Sequence, residues 1–174
     1  MATDLVARVD LERELASLHA ASFAWALVAC GYDRAEADDV LQSVYEKVLD
    51  GRARFERRSS LKTWLFAIIR RTAASRRRTV WLRRALLARW TEAQPEASPA
   101  ATPHERAELD ERGRRVLDAV RALAARQRQV IELVFYHDLS VEQAAEVMGV
   151  GVGTARVHYD RGKRNLLAAL KEAP

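Results

Sequence analysis

Ser140-Val-Glu-Gln-Ala-Ala-Glu-Val-Met-Gly-Val-Gly-Val-Gly-Thr-Ala-Arg-Val-His-Tyr-Asp-Arg-Gly162 is the stretch from which the fold is read. It opens with Ser-x-x-Gln, the pattern in which a serine caps a helix N-terminus and a glutamine three residues on returns the hydrogen bond. Ala144, Ala145, Val147 and Met148 follow, then Gly149, the residue a tight interhelical turn needs for positive φ. The chain re-enters a helix at Gly151, and along it Ala155, Tyr159, Gly162 and Leu166 recur at spacings of four, three and four. That stripe is predicted to pack back on the preceding helices, which turns Thr154, Arg156, Val157, His158 and Arg161 outward. These are the types a DNA major groove uses: Arg for guanine O6 and N7, Thr and Val for a thymine methyl, Arg or His for phosphates and base acceptors. Asp160, four residues from both Arg156 and Arg164, is expected to be absorbed in an intrahelical pair. A helical hairpin with a solvated basic face shares single parts of this pattern. The conjunction of serine cap, alanine pair, turn glycine and basic second helix specifies a helix-turn-helix.

Outward from this motif, Ala, Leu, Arg and Glu dominate, Gly and Pro are sparse, and β-branched residues do not alternate with polar ones. The predicted class is all-α. The one compositional break is Thr91-Glu-Ala-Gln-Pro-Glu-Ala-Ser-Pro-Ala-Ala-Thr-Pro103, where Pro, Ala and Ser replace the apolar periodicity. The expected organisation is therefore two small helical domains, residues 1–90 and 104–174, joined by a flexible linker, 91–103, with the helix-turn-helix in the C-terminal one. Thr102-Pro103-His104-Glu105 carries an N-cap, a proline at the first helical position and a glutamate at the third, a start signal for the second domain. A helix through Val116, Leu117 and Val120 and another carrying Val130, Ile131, Val134 and Phe135 lead to the motif.

In the first domain one helix carries Leu11, Leu15, Leu18, Trp25 and Val28 and stops at Gly31. Asp33-x-x-Glu36 restarts the chain in capping-box fashion, and Ala37, Val40, Leu41, Val44, Val48 and Leu49 share one face before Gly51. Opposite that stripe lie Asp38, Asp39, Gln42 and Glu46, an acidic patch suited to something basic. A third helix, opened by Ser59 or Ser60, is expected to turn Leu61, Trp64, Leu65, Ile68 and Thr72 inward and to leave Lys62, Thr63, Arg70 and Arg71 on a basic outer face. Arg76, Arg77 and Arg78 carry the charge into a short helix expected around Trp81 to Trp90.

Net charge +5 suits contact with a polyanion. A lone Cys30 beside Val28 and Ala29 reads as a buried, inert thiol in a reducing setting. The N-terminus has no basic and apolar leader pattern and no apolar run approaches the roughly 20 residues of a membrane span, so a cytoplasmic location is expected. His19, His104, His137 and His158 are scattered without metal-ligand spacing, and there is neither a phosphate-cradling glycine loop nor a nucleophile-base pair. The expectation is a protein that is not an enzyme and uses no cofactor, metal or small-molecule substrate.

Three stretches together resemble the extracytoplasmic-function (ECF) group of bacterial sigma factors, across nearly the whole chain. Ala37-Asp-Asp-Val-Leu-Gln-Ser-Val-Tyr45 looks like the acidic Asp-Asp-x-x-Gln helix with which such factors clasp a coiled coil of the polymerase largest subunit. Phe55 with Ser59-Ser-Leu-Lys-Thr-Trp-Leu-Phe-Ala-Ile68 resembles the segment that melts and reads the minus-ten element. Ala125-Arg-Gln-Arg-Gln-Val-Ile131, with Leu139 to Leu166, resembles the domain that reads the minus-thirty-five element. The resemblance implies binding of core RNA polymerase through Asp38, Asp39, Gln42 and Glu46. It implies minus-ten contacts from Ser59, Ser60, Lys62, Thr63, Arg70 and Arg71, and minus-thirty-five contacts from Arg126, Thr154, Arg156, Val157, His158 and Arg161. It also implies an anti-sigma factor as partner. Read without the resemblance, the same helix-turn-helix would suit a regulator that binds palindromic DNA without polymerase, its N-terminal helices serving only to dimerise or to sense a ligand.

The chain departs from the family pattern at several positions. Arg57-Arg58 stands where an Arg-Gly-Glu-like run is frequent, and Arg71 where an Asn is common near the flipped base, so minus-ten preference is expected to differ. Ala124 replaces a proline before the Arg-x-Arg-Gln stretch, a change of little consequence at a helix start. Val157 and His158 stand where Ser and Arg are more usual, which implies a distinct upstream element, with Val157 offering apolar contact.

Overall fold

The computed structural model of the chain describes residues 2–88 and 111–172, and every regular element among them is helical. The linker 91–103 and the Thr102–Glu105 start signal lie outside the described residues. The chain divides into two compact units, Met1–Ser98 and Pro99–Pro174.

The first unit contains α1 (Ala2–Ser17), α2 (His19–Ala29), α3 (Arg34–Leu49) and α4 (Leu61–Ala88). The single helix expected up to Gly31 is two helices. Ser17 Oγ donates to the Glu14 carbonyl at 2.7 Å, and the chain turns at Leu18. A hydroxyl that competes for its own helix carbonyls in this way favours a helix end over a helix middle. At the far end of α2, Gly31 (φ 70°) and Tyr32 (φ 68°) are both left-handed, and the Tyr32 amide closes the turn on the Leu27 carbonyl at 2.7 Å. Asp33 then caps α3, its carboxylate accepting from the Glu36 amide at 3.0 Å. Burial pushes the half-buried Glu36 carboxyl upward, with Arg77 opposing the shift.

α2, α3 and α4 pack on one another. Trp25, fully buried, stacks on Phe66 at 5.9 Å between centroids, and its Nε1 donates to the Phe66 carbonyl at 3.0 Å, so the large apolar ring leaves no polar atom stranded. Val40, Leu41 and Val44 of α3 and Leu65, Ile69 and Ala73 of α4 complete this core. Here α4 departs from expectation. Its deepest residues are Thr63, Leu65, Phe66, Ile69 and Ala73, while Leu61 and Trp64 are only half-buried, so the buried face is rotated toward Phe66. The anchor that turns it is Trp25, which lies in another helix and cannot be seen in the periodicity of α4. The separate short helix expected at Trp81–Trp90 is instead a continuation of α4 to Ala88. Between Leu61 and Ala88 there is no Gly or Pro, and good helix formers leave nothing to break it.

The second unit contains α5 (Glu111–Ala122), α6 (Ala125–Ile131) running into a π-helical turn (Glu132–Tyr136), α7 (Val141–Met148) and α8 (Val152–Glu172). In the π turn the His137 amide reaches back five residues to the Glu132 carbonyl at 3.1 Å. Phe135, expected to share a helix with Val130 and Ile131, is consequently turned outward, 61 % exposed, and stacks on Tyr159. Leu123, Val130, Ile131, Leu133, Leu139, Ala144, Ala145, Val147, Met148 and Ala155 form the core. α8 crosses α6 closely at Gly162, where a Cβ would lie 2.9 Å from Ile131 Cγ1 and 3.4 Å from Gln127 Cβ. Gly162→Leu is expected to lower stability by about 1–3 kcal/mol or more through overpacking, whereas Gly153→Ala, with open space around it, should be neutral or gain up to about 1 kcal/mol. Urea denaturation of the two variants checks the contrast.

Cys30 is buried, as expected from its neighbours, and burial together with Glu36 pushes its thiol up to about 12. Since the thiolate is the reactive form, alkylation of the native chain at pH 8 should be slow and should accelerate by orders of magnitude in denaturant. Labelling followed by mass spectrometry reads this directly.

Candidate nucleic-acid interface

The helix-turn-helix is built as its sequence demands. Ser140 Oγ accepts from the Gln143 amide at 3.2 Å and Gln143 Oε1 accepts from the Ser140 amide at 2.8 Å, a reciprocal capping box. Gly149 closes α7 in the left-handed region (φ 61°, ψ 42°), a conformation open to glycine without steric strain. Ala144, Ala145 and Ala155 are buried where α7 meets α8. Small side chains at these points let the second helix approach the first closely. A Ser140→Ala variant removes one half of the box and is expected to cost about 1 kcal/mol, read as a shifted urea midpoint with unchanged slope.

On the outer face of α8, Thr154, Arg156, Val157 and Arg161 are exposed, Val157 by 48 %. His158 is half-buried rather than fully outward, because it borders the Ala155–Tyr159–Gly162 stripe on the helix surface. Asp160 pairs with Lys163 at 3.3 Å, not with Arg156 or Arg164, and the Lys163 ammonium also lies 4.2 Å from the Tyr159 ring centroid. Arg156 instead crosses the motif, its Nη2 donating to Glu142 Oε1 of α7 at 2.9 Å. The Glu142 carboxyl is held below its usual range by its own backbone amide first, then by Arg156 and Ser140. Arg126 is exposed, with Nη1 3.4 Å from the Met148 carbonyl, so part of its donor set serves the C-terminus of α7.

In the first unit Asp38, Asp39, Gln42 and Glu46 all lie exposed on α3, away from the core. Gln42 Nε2 donates to Glu46 Oε1 at 3.1 Å, and Arg76 of α4 pairs with Asp39 at 3.0 Å. Tyr45 ends the same stretch, half-buried, with its hydroxyl 3.2 Å from His19 Nδ1 and its phenol pushed upward by burial.

At the start of α4, Ser60 is exposed and Ser59 half-buried. Ser60 Oγ accepts from the Thr63 amide at 3.1 Å and lies 2.8 Å from Thr63 Oγ1. Thr63 is fully buried, which corrects its expected place on the outer face, and its hydroxyl folds back on Ser60. Lys62 and Arg70 are half-buried, Lys62 lying 5.8 Å from the Phe66 centroid, and Arg71 is exposed with Nε donating to the Ala67 carbonyl at 3.3 Å. Trp64, expected in the core, packs its ring 5.2 Å from Phe55. Sequence reasoning missed Arg76 and Glu142 as neighbours of site residues. Both act across 14 or more positions, and no local spacing signals such a pair.

Among the described residues no group of three or more His, Cys, Asp or Glu could hold a metal ion, and no helix is long and apolar enough to cross a membrane.

Two family models match this chain, Sigma-70 region 2 over residues 18–90 and Sigma-70 region 4 over residues 113–166. The class defined by fold and motif is thus a sigma-70-type transcription initiation factor. The chain is 31 % identical over 150 residues to the ECF RNA polymerase sigma factor SigC of Mycobacterium tuberculosis, covering 83 % of this chain and 75 % of that one. It is 30 % identical over 136 residues to the ECF RNA polymerase sigma factor SigX of Bacillus subtilis, covering 77 % and 70 %. Among solved structures, the sigma factor RpoE in complex with the anti-sigma factor NepR from Bartonella quintana matches with TM-score 0.75 and 28 % identity over 95 % of this chain and 99 % of that one. CnrH in complex with the cytosolic domain of CnrY shares the fold, with TM-score 0.62 and 22 % identity over 92 % of this chain and 88 % of that one. The chain belongs to the ECF sigma factors, and its partners are core RNA polymerase and promoter DNA.

Proposed function

We propose a division of labour between the two units. The domain spanning residues 1–90 docks on core polymerase through Asp38, Asp39, Gln42 and Glu46 and holds the melted minus-ten strand with Ser59, Ser60, Lys62, Arg70 and Arg71. Thr63 serves this surface from beneath, as the cap partner of Ser60. Residues 91–103 tether it to the domain spanning 104–174, where Thr154, Arg156, Val157, His158 and Arg161 of α8 read the minus-thirty-five duplex and Arg126 supports them. Single-stranded bases are held by a basic track with stacking surfaces, which the Phe55–Ser60 loop and the neighbouring cations of α4 supply. The observation that carries the reading is the exposed Thr154–Arg161 face on a helix set by a capping box and a left-handed glycine turn.

Two reading units on a tether suit promoter elements roughly two helical turns, about 70 Å, apart. We assign the polymerase all of the chemistry and this chain none. An anti-sigma factor is the fitting regulatory partner; RpoE, to which this chain is similar, is itself solved in complex with the anti-sigma factor NepR. The cytoplasm, where polymerase works, is the fitting location.

In vitro transcription tests this. With core polymerase and a pool of random promoter templates, the chain is expected to yield transcripts sharing two spaced upstream elements. Asp38→Arg with Asp39→Arg should reduce factor-dependent transcript at least tenfold while leaving the helical circular-dichroism signal unchanged. Binding to a palindrome without polymerase, unaffected by the two substitutions, would point instead to a stand-alone regulator.

A further inference from the structure

Arg156 and Glu142 face each other across the helix-turn-helix, with Nη2 and Oε1 2.9 Å apart and side chains 65 % and 54 % exposed. An ion pair this open to water adds little to stability, and a carboxylate on a DNA-facing surface repels phosphate. What the pair does accomplish is geometric. Glu142 sits in the first turn of α7, one residue before Gln143 of the capping box, so its backbone is anchored. The guanidinium it engages carries five donors in a rigid fork. One Nη2 hydrogen goes to the carboxylate, and four of the five donors remain, more than the two that guanine O6 and N7 accept side by side. A long, rotamer-rich side chain is thereby held in one pose before DNA arrives, which lowers the ordering cost of binding.

We propose that Glu142 is a specificity-determining positioning residue: its carboxylate holds the Arg156 guanidinium so that the fork meets a guanine of the upstream promoter element. This rests on the assignment of α8 as the reading helix. The pairing also joins the two helices of the motif, so the base preference of one depends on a residue of the other.

The rival role for Glu142 is a favourable carboxylate at the helix N-terminus. Glu142→Asp keeps that charge but is one methylene shorter, and Glu142→Gln removes the charge. Holoenzyme assembled from core polymerase and the full chain is equilibrated with duplex templates randomised at the upstream element. Bound templates are sequenced, and affinity for promoterless duplex is measured alongside. Arg156→Ala is expected to reduce guanine preference at one position by roughly five- to a hundredfold. Glu142→Gln and Glu142→Asp should each reduce it severalfold at that same position. Glu142→Gln should leave affinity for promoterless duplex equal or higher, since a repelling charge is gone, and should add no further loss of preference to Arg156→Ala.

The proposal is overturned if Glu142→Gln keeps the wild-type preference, or if it shifts affinity for every template alike, as a bare charge would. If Arg156→Ala itself leaves base preference intact, the reading of α8 fails too. Arg156→Ala losing preference with both Glu142 variants unchanged removes only the positioning role.

Discussion

α8 is held at two points where almost no side chain intervenes. Ala155 is fully buried where α8 meets α7, and Gly162 lies against Ile131 and Gln127 of α6 with no room for a Cβ. Helix separations follow the side chains at the contact, so these two small residues set the depth and roll of α8 together. A close-packed interior does not permit a helix to rotate by a fraction of a turn without opening a void or a clash. The exposed set of Thr154, Arg156, Val157 and Arg161 is a consequence of that constraint, as is the half-covered position of His158. The capping box at Ser140 and the left-handed turn at Gly149 supply the entry geometry, and the two close contacts supply the rest.

In the first unit the corresponding role falls to Trp25. Its ring stacks on Phe66 and its indole nitrogen is satisfied by the Phe66 carbonyl, which ties the buried face of α4 to α2. Once Phe66, Ile69 and Ala73 are inward, Thr63 goes with them, and Lys62, Arg70 and Arg71 are left at the border or outside. The acidic face of α3 is likewise a remainder: Val40, Leu41 and Val44 are inward, and Asp38, Asp39, Gln42 and Glu46 are what is left.

Two of the three proposed contact faces carry an ion pair that reaches another helix, Asp39 with Arg76 and Arg156 with Glu142. Both pairs are substantially exposed, so they are weak and screened by salt. Weakness is useful at a surface that must exchange partners. A carboxylate or guanidinium oriented by such a pair is ordered beforehand, yet it can adjust at little cost when a partner arrives.

The elements that depend on neighbours in sequence were legible. The Ser140–Gln143 box, the Gly149 turn, the Asp33 cap, the stripe of α3 and the Ala155–Gly162 face of α8 are each set within a few residues, and periodicity reports them. The elements that depend on distant partners were not. Periodicity alone put Trp64 inward and Thr63 outward, whereas with Phe66 packed on Trp25 it is Thr63 that is fully buried and Trp64 that is half-buried. The division at Leu18, the π turn that exposes Phe135, and the Asp160–Lys163 pairing follow from local hydrogen bonds with close competitors, where composition does not choose. By itself, the amino-acid sequence determined the helical class and the polar and charged side chains available to an outer face, because those follow from short-range propensity and chemical type. The tertiary structure decided which of those side chains are presented and which charge holds each in place, because burial and pairing are settled between residues far apart in the chain.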